Sequence, residues 1–409
     1  MPASSRRTLS VPTARNGRGT GTKDYPLLLA ARVMRAFGFG FIAVLVSVYL
    51  SNGGRSAAEI GLLLGIALAA SAMVGLVFAA ASRRIGRRSC LAIAGLLMAV
   101  SGFALAAGSN SWWPFLAAAT GMMGASNIDA GPFAGVEQAV LAESVLPSRR
   151  NMAFARYSLT GGVASAAGGL AAGLATTQPR IQLFLTIYAV IGLLTLLLAI
   201  ALSADVESSR AGGSTMRPTP HRGFVALTAL FAVDSLGGGF VVPAVIALWL
   251  HVRFGLGVAT LGPAFAAMSL VQATSSEVSG RLANRIGLIR TMVFTHLPSN
   301  VLLLLVPLAP NPGLAIVLLV ARASLAQMDV PARQAYIVSV VAPTERAMAV
   351  ATIGAARGFA QTFGPVLAGI AIQSMALAAP FLIAGGLKTT YDLALYAGFR
   401  SRHGDHELR

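Results

Sequence analysis

The stretch EQAVLAESVLPSRRNMAFA, residues Glu137–Ala155, lies without a gap over RQAYIVSVVAPTERAMAVA, residues Arg333–Ala351. Earlier in each half, RAFGFGF (Arg35–Phe41) lies over DSLGGGF (Asp234–Phe240). Because the matches occur in the same order, they indicate that the chain consists of two halves in parallel orientation. In membrane proteins built from such repeats, the binding site lies between the halves near the middle of the bilayer.

The hydropathy of the chain indicates that a bilayer surrounds it. Only 11% of the 409 residues are charged and 56% are hydrophobic, whereas about a quarter of a soluble domain is charged. The sequence therefore predicts an all-α integral membrane protein with twelve transmembrane helices in two six-helix pseudo-symmetric bundles. Each predicted span has roughly 20 mostly apolar residues: Tyr25–Leu50, Ala57–Ala81, Cys90–Ala107, Trp113–Ala134, Met152–Ala175, Ile181–Ser203, Gly223–Leu250, Val258–Gly280, Thr291–Ala309, Gly313–Val338, Met348–Ile372 and Ala376–Tyr396.

The polar segments divide the chain into five parts. We expect a cytoplasmic N-terminal tail at 1–24, a six-helix bundle at 25–203, a cytoplasmic linker at 204–221, a second bundle at 222–400 and a C-terminal tail at 401–409. The single cysteine excludes an intramolecular disulfide and a multi-thiolate metal site. We expect neither a metal nor a cofactor.

The net charge of +17 is unevenly distributed between the loops. The loops on one side hold most of the arginines, among them Arg83, Arg84, Arg87, Arg88, Arg281, Arg285 and Arg290, while the other side holds Arg55, Arg180 and Arg253. Loops rich in arginine face the cytoplasm, so the charge reflects topology and does not indicate nucleic-acid binding. Lysine is nearly absent, as is typical of GC-rich bacterial genomes, and we expect a bacterial inner membrane protein with both termini in the cytoplasm.

The loop between spans two and three, ASRRIGRR, has a counterpart between spans eight and nine, RLANRIGLIR. Both resemble a conserved loop of the major facilitator superfamily, G-x-x-x-D-R-x-G-R-R, and the chain is similar to a bacterial efflux-type branch of that family. The resemblance implies a transporter that works by alternating access, in which this loop has a conformational role. Its matching positions are Arg84, Gly86, Arg87 and Arg88 in the first copy and Gly280, Arg285, Gly287 and Arg290 in the second, with Asn284 in place of the aspartate.

Ionisable side chains within the predicted spans are costly to insert, at about 2.5–3.5 kcal/mol each, and so mark candidate functional positions. Arg35 and Asp234 occupy equivalent repeat positions with opposite charge, and so do Glu137 and Arg333. We expect these residues to form a cytoplasmic gate across the two halves, with Arg156 and Arg357 as further charge-pair candidates.

Proton coupling requires a carboxylate that burial can protonate near neutral pH, and the candidates are, in order, Asp234, Asp129 and Asp329. Arg32, Phe39, Trp249 and Arg322 are candidates for the lining of a substrate cavity. Arg322 and Arg357 would alternatively neutralise an anionic substrate.

Two other polar groups favour a structural interpretation. Lys388 and Asp392 are four residues apart and are expected to pair locally on one helix. His296, two residues before Pro298, is expected to be a hydrogen-bonded structural residue.

The predicted function is secondary active transport, with proton-coupled export of a small amphipathic or toxic compound as the first interpretation. The chain lacks the G-x-x-x-x-G-K-[ST] phosphate loop of ATP-driven pumps. The alternatives are a proton-coupled importer of a small organic solute and a membrane-embedded transferase. We expect a small-molecule substrate, protons and lipid as the partners of a functional monomer.

Overall fold

The computed structural model describes residues 21–125, 132–144, 150–207, 222–341 and 346–399. Asp129 lies outside them. Two short 3-10 turns, Ala204–Val206 and Val306–Leu308, accompany the helices of the described chain. These helices are α1 (Gly21–Asn52), α2 (Ala57–Ile85), α3 (Arg87–Ala107), α4 (Trp113–Ala119), α5 (Pro132–Ser144), α6 (Arg150–Ala172), α7 (Gln178–Ala201), α8 (Arg222–Gly239), α9 (Pro243–Phe254), α10 (Val258–Ile286), α11 (Leu288–Leu305), α12 (Pro312–Ala326), α13 (Asp329–Val340), α14 (Arg346–Gln361), α15 (Phe363–Gln373) and α16 (Ala379–Phe399).

These helices form the twelve predicted spans, which confirms the all-helical fold. Spans seven, ten and eleven each consist of two helices (α8 and α9, α12 and α13, α14 and α15). Span four was predicted to end at Ala134, but α5, which follows α4, begins at Pro132 and continues to Ser144. Seven helical stretches in the described residues are individually long and apolar enough to cross a membrane. The other spans are broken or more polar and rely on packing against neighbouring helices, because freed backbone groups within a membrane must be satisfied by protein.

Two of the expected segment boundaries need correction. Asp24, expected at the end of a tail, lies in α1, and its carboxylate accepts hydrogen bonds from the backbone N and the Oγ of Ser203 at 2.9 and 2.6 Å. The residues expected to begin the linker form the turn Ala204–Val206, and Glu207 follows it. The Glu207 carboxylate accepts hydrogen bonds from the first two backbone N–H groups of α3. The linker is therefore anchored to the first half where it begins.

One end of the bundle, where α1 begins and the arginine-rich loops lie, is called here the basic face. At the opposite face the halves pack closely: α1 contacts α9, α2 contacts α15, and α6 contacts α10. A Cβ on Gly61 of α2 would lie 2.4 Å from the carbonyl oxygen of Pro365 in α15, so this contact requires glycine.

Two helices at the basic face, α5 and α13, pack mainly within their own halves, whereas α14 of the second half also contacts α2 of the first. The described part of α5 packs on α1, α2, α3 and α6, whereas α13 packs on α10, α11 and α14. Hydrogen bonds across the halves lie toward the opposite face, from Ser47 Oγ to the Ala244 carbonyl at 2.7 Å and from Ala58 N to Gln373 Oε1 at 3.0 Å. Among the described residues, the halves are therefore joined more closely toward the opposite face than between α5 and α13.

Candidate functional site

The loop between α2 and α3 turns at Gly86, whose φ of +88° falls where residues with a Cβ are strained. Its repeat counterpart Gly287 has a φ of +90°, so both copies of the loop need glycine at this turn. Glu207 supplies a carboxylate at the N-terminus of α3, where the helix dipole favours negative charge. Comparison of the two loop copies did not identify Glu207, because it lies far along the chain from α3.

The arginines of these loops have different surroundings. Arg87 donates to the Val206 carbonyl at 3.3 Å and Arg88 to the Ile200 carbonyl at 2.6 Å, so both tie α3 to the end of the first half. The side chains of three others are exposed, namely Arg84, Arg285 and Arg290. Gly280 and Asn284 lie within the last turns of α10.

A buried ion pair joins α1 and α5 in the first half. Arg35 Nη2 donates to Glu137 Oε2 at 2.5 Å, and both side chains are almost completely buried. Tyr157 Oη of α6 donates to the same carboxylate oxygen at 2.6 Å. The Arg35 guanidinium stacks over the Phe133 ring at 4.1 Å, so the charges are paired, hydrogen-bonded and shielded from lipid.

In the second half, Asp234 of α8 is the centre of a larger cluster. Its Oδ1 accepts from Lys388 Nζ of α16 at 2.7 Å, and its Oδ2 lies 3.5 Å from Arg333 Nη1 of α13 and 3.6 Å from Arg357 Nη2 of α14. Arg333 also pairs with Asp329 at 2.6 Å, one turn away on α13. The carboxylate of Asp234, which is only 3% exposed, therefore joins four helices.

The two halves hold equivalent ion pairs with reversed polarity. In the first half an arginine of span one meets a glutamate of span four, whereas in the second half Asp234 of span seven meets Arg333 of span ten. The expected cross-half pairs, Arg35 with Asp234 and Glu137 with Arg333, are not the pairs formed in this conformation. Each of the four residues instead pairs with an opposite charge of its own half.

His296 and Asp392 form a contact that the sequence did not indicate. Lys388 pairs with Asp234, so the predicted local pair of Lys388 with Asp392 is wrong. Asp392 is completely buried, lies 3.0 Å from His296 Nδ1 and accepts from Asn300 Nδ2 at 2.7 Å. Helix spacing alone could not show that α11 and α16 face each other here.

The candidate cavity residues are dispersed. Phe39 packs edge-on against Tyr188 at 6.0 Å within the first half. Trp249 is fully buried, donates to the Leu377 carbonyl at 2.7 Å and packs on Phe381 at 4.5 Å. Trp249 thus packs α9 on α16 near the opposite face and does not line a cavity between the halves.

The candidate arginines differ in their surroundings. The Arg357 side chain is 28% exposed, and its Nε donates a hydrogen bond to Ser235 Oγ at 2.8 Å. Arg322, on α12, has a buried Nε without a hydrogen-bond partner in the described part of the chain. Arg32 stacks on Tyr157 at 4.6 Å, and Arg156 is exposed on α6.

Two pseudo-symmetric six-helix halves with buried charges at equivalent positions are typical of a membrane carrier. The family model described as Major Facilitator Superfamily matches residues 28–243 and 227–406. The chain therefore belongs to the major facilitator superfamily and is a multi-pass membrane secondary transporter rather than an enzyme.

The relatives of known structure share the fold at low sequence identity. The nucleoside transporter NupG is 15% identical, with a TM-score of 0.73 over 92% of this chain and 99% of that chain. The xylose transporter XylE from E. coli is 14% identical, with a TM-score of 0.72 over 91% of this chain and 96% of that chain. An uncharacterized membrane protein of Saccharomyces cerevisiae is 24% identical over 92% of this chain and 94% of its own length.

Proposed function

We propose that the protein is a proton-coupled transporter in which Asp234 binds the coupled proton. The single observation that carries this proposal is the burial of the Asp234 carboxylate among cations from three other helices. If a conformational change withdraws these cations, the carboxylate becomes a buried unpaired charge, and such a group takes up a proton instead of remaining ionised. Among the described residues Asp329 is the next candidate, because it shares Arg333 with Asp234.

The gate is proposed to work by exchange of partners among four residues. In the conformation described above, Arg35 pairs with Glu137 and Asp234 with Arg333. When the basic face closes, Arg35 would meet Asp234 and Glu137 would meet Arg333, so each charge would keep an opposite partner. An exchange between two paired states leaves a buried charge unpaired only while the face moves, which is when Asp234 would take up the coupled proton, and this suits an element that must open and close repeatedly.

The proposed direction is export of a small amphipathic or toxic compound, with the basic face toward the cytoplasm of a bacterium. The excess of arginine at that face supports this orientation. Arg322 and Arg357 are the proposed contacts for the solute, because one has an unpartnered buried Nε and the other reaches solvent.

The experiment that tests this proposal uses everted membrane vesicles whose lumen is acidified and contains a pH-sensitive dye. Lipophilic drugs, metalloid oxyanions and organic anions are added one at a time. We expect one compound class to release protons from the wild-type vesicles, and we expect this release to be lost with Asp234→Asn although folded protein stays in the membrane.

The matched control is Glu59→Gln, which removes a carboxylate that is 46% exposed near the opposite face, and we expect it to keep proton release. Full release by Asp234→Asn would contradict the coupling role of Asp234. Proton-linked uptake of the compound into right-side-out vesicles would contradict export and indicate import.

A further inference from the structure

A histidine of α11 lies between two buried carboxylates in the second half. His296 Nδ1 is 3.0 Å from both oxygens of Asp392, and Nε2 on the other side of the ring is 3.9 Å from Asp234 Oδ1. His296 is 3% exposed, and Asp392 is completely buried. The three residues come from α11, α16 and α8, so the arrangement arises from the tertiary fold.

The charges around the imidazole determine how many protons it carries. Asp234 has three cations within ion-pair distance, Lys388, Arg333 and Arg357. The described groups that contact Asp392 are the His296 ring and the Asn300 amide. A neutral imidazole would therefore turn an unprotonated nitrogen toward one of two carboxylates, unless that carboxylate were itself protonated.

The amide of Asn300 favours the proton on the ring. A hydrogen bond donated to a carboxylate stabilises its charged form, and Asn300 Nδ2 donates to Asp392 Oδ2 at 2.7 Å. An ionised Asp392 accepts a hydrogen bond from His296 Nδ1 at 3.0 Å, while Nε2 faces the second carboxylate, Asp234, at 3.9 Å. The edge of the ring also packs against Tyr391, with centroids 6.0 Å apart, which limits its rotation.

We propose that His296 and Asp392 form a second proton-binding site, which holds a proton on the imidazole and transfers it to Asp234. This inference rests on the proposed coupling role of Asp234. When Lys388 and the arginines move away from Asp234, Asp234 Oδ1 comes within hydrogen-bond distance of His296 Nε2 and accepts its proton. The imidazole becomes neutral and keeps its Nδ1–H bond to Asp392, so one proton moves between the two residues and the sum of their charges is unchanged.

The test measures the protonation of His296 directly, in the full chain in lipid nanodiscs with 15N-labelled histidine. The spectrum is recorded at about pH 7.5, where an unperturbed imidazole is mostly neutral. We expect one imidazolium signal with both nitrogens protonated. We expect His296→Gln to remove this signal and Asp392→Asn to replace it with that of a neutral ring.

The control is His251→Gln, which removes a histidine that contacts the Leu256 carbonyl near the opposite face and should leave the imidazolium signal intact. A neutral His296 in the wild-type protein would overturn the proposal, whether or not the variants fold. An imidazolium signal unchanged by Asp392→Asn would overturn the pairing. This spectrum is independent of transport, so failure of the coupling role, seen as proton release by Asp234→Asn, is distinguishable from failure of this site.

Discussion

Glu137→Gln removes one charge from the buried pair of the first half and leaves its partner in place. Arg35 is completely buried, and in this conformation its Nη2 lies 2.5 Å from the Glu137 carboxylate. The neutral amide still accepts the hydrogen bond of Tyr157 but does not compensate the arginine charge. Removal of one member of a buried ion pair costs about 3–5 kcal/mol, a large fraction of an ordinary stability of about 5–15 kcal/mol.

The same pair gives a second, compensated variant. Arg35→Met together with Glu137→Leu removes both charges and fills similar volumes, and apolar replacement of a whole buried pair is often neutral or stabilising. We therefore expect the double variant to unfold at the wild-type denaturant concentration or above it. We also expect it to transport poorly, because it has lost two of the four charges that exchange partners.

The assay is unfolding of the purified protein in mild detergent by added denaturing detergent, followed by tryptophan fluorescence, with transport measured in vesicles in parallel. Glu59→Gln is the matched control, since its carboxylate is partly exposed and pairs with Arg55 at the helix start. An exposed pair of this kind contributes about 0–1 kcal/mol. Wild-type stability of Glu137→Gln would refute the reasoning, and so would full transport by the compensated double variant.

Two further predictions concern the interface and the substrate contacts. Gly61→Ala places a methyl group 2.4 Å from the carbonyl oxygen of Pro365, so we expect the halves to separate at the opposite face. Spin labels placed on either side of that face should report longer distances than in the wild-type protein. Unchanged distances would contradict this packing. Arg322→Gln removes the guanidinium whose Nε lacks a described partner, so we expect the apparent substrate affinity to fall at least tenfold with little loss of stability. Unchanged affinity would remove Arg322 from the substrate contacts.

Sequence patterns were sufficient for the fold because bilayer thickness and helix geometry leave few alternatives. The apolar stretches predicted the spans, and the repeat predicted the equivalence of α5 with α13. The breaks inside spans were not predicted, because an apolar run looks the same whether it is one helix or two. Asp24 and Glu207 were assigned to the tail and the linker because their hydrogen-bond partners lie far along the chain and no local pattern identifies them.

The candidate site was predictable in its residues but not in its pairs. Opposite charges at equivalent repeat positions identified Arg35, Glu137, Asp234 and Arg333, and the structure pairs them within each half. Which pairs form depends on the separation of the halves, which no local pattern specifies. The partner of Lys388 was also not predictable. Its four-residue spacing from Asp392 suggested a pair on one helix, but its side chain reaches Asp234 on α8.

Partner exchange is tested most directly by two charge swaps that have opposite expected effects. Arg35→Glu with Glu137→Arg keeps a pair within the first half but sets like charges against the second half when the basic face closes. Arg35→Asp with Asp234→Arg keeps a pair across the halves when the basic face closes. It sets like charges against each other within each half when that face is open. The first swap creates two like-charge contacts in one conformation. The second creates four, because Asp234→Arg also faces Lys388 and Arg357. Each contact costs several kcal/mol, and about 5.5 kcal/mol is enough to shift a two-state population from 1:99 to 99:1.

The measurement is the distance between spin labels at Gln138 and Gln334, two exposed residues beside the exchanging charges on α5 and α13, recorded by double electron–electron resonance. The buried Cys90 is replaced by alanine beforehand, since it is the only cysteine of the chain. We expect the swap within the first half to give a single long distance and the swap across the halves to give a short one. The same distance distribution in both swapped proteins would contradict the exchange of partners.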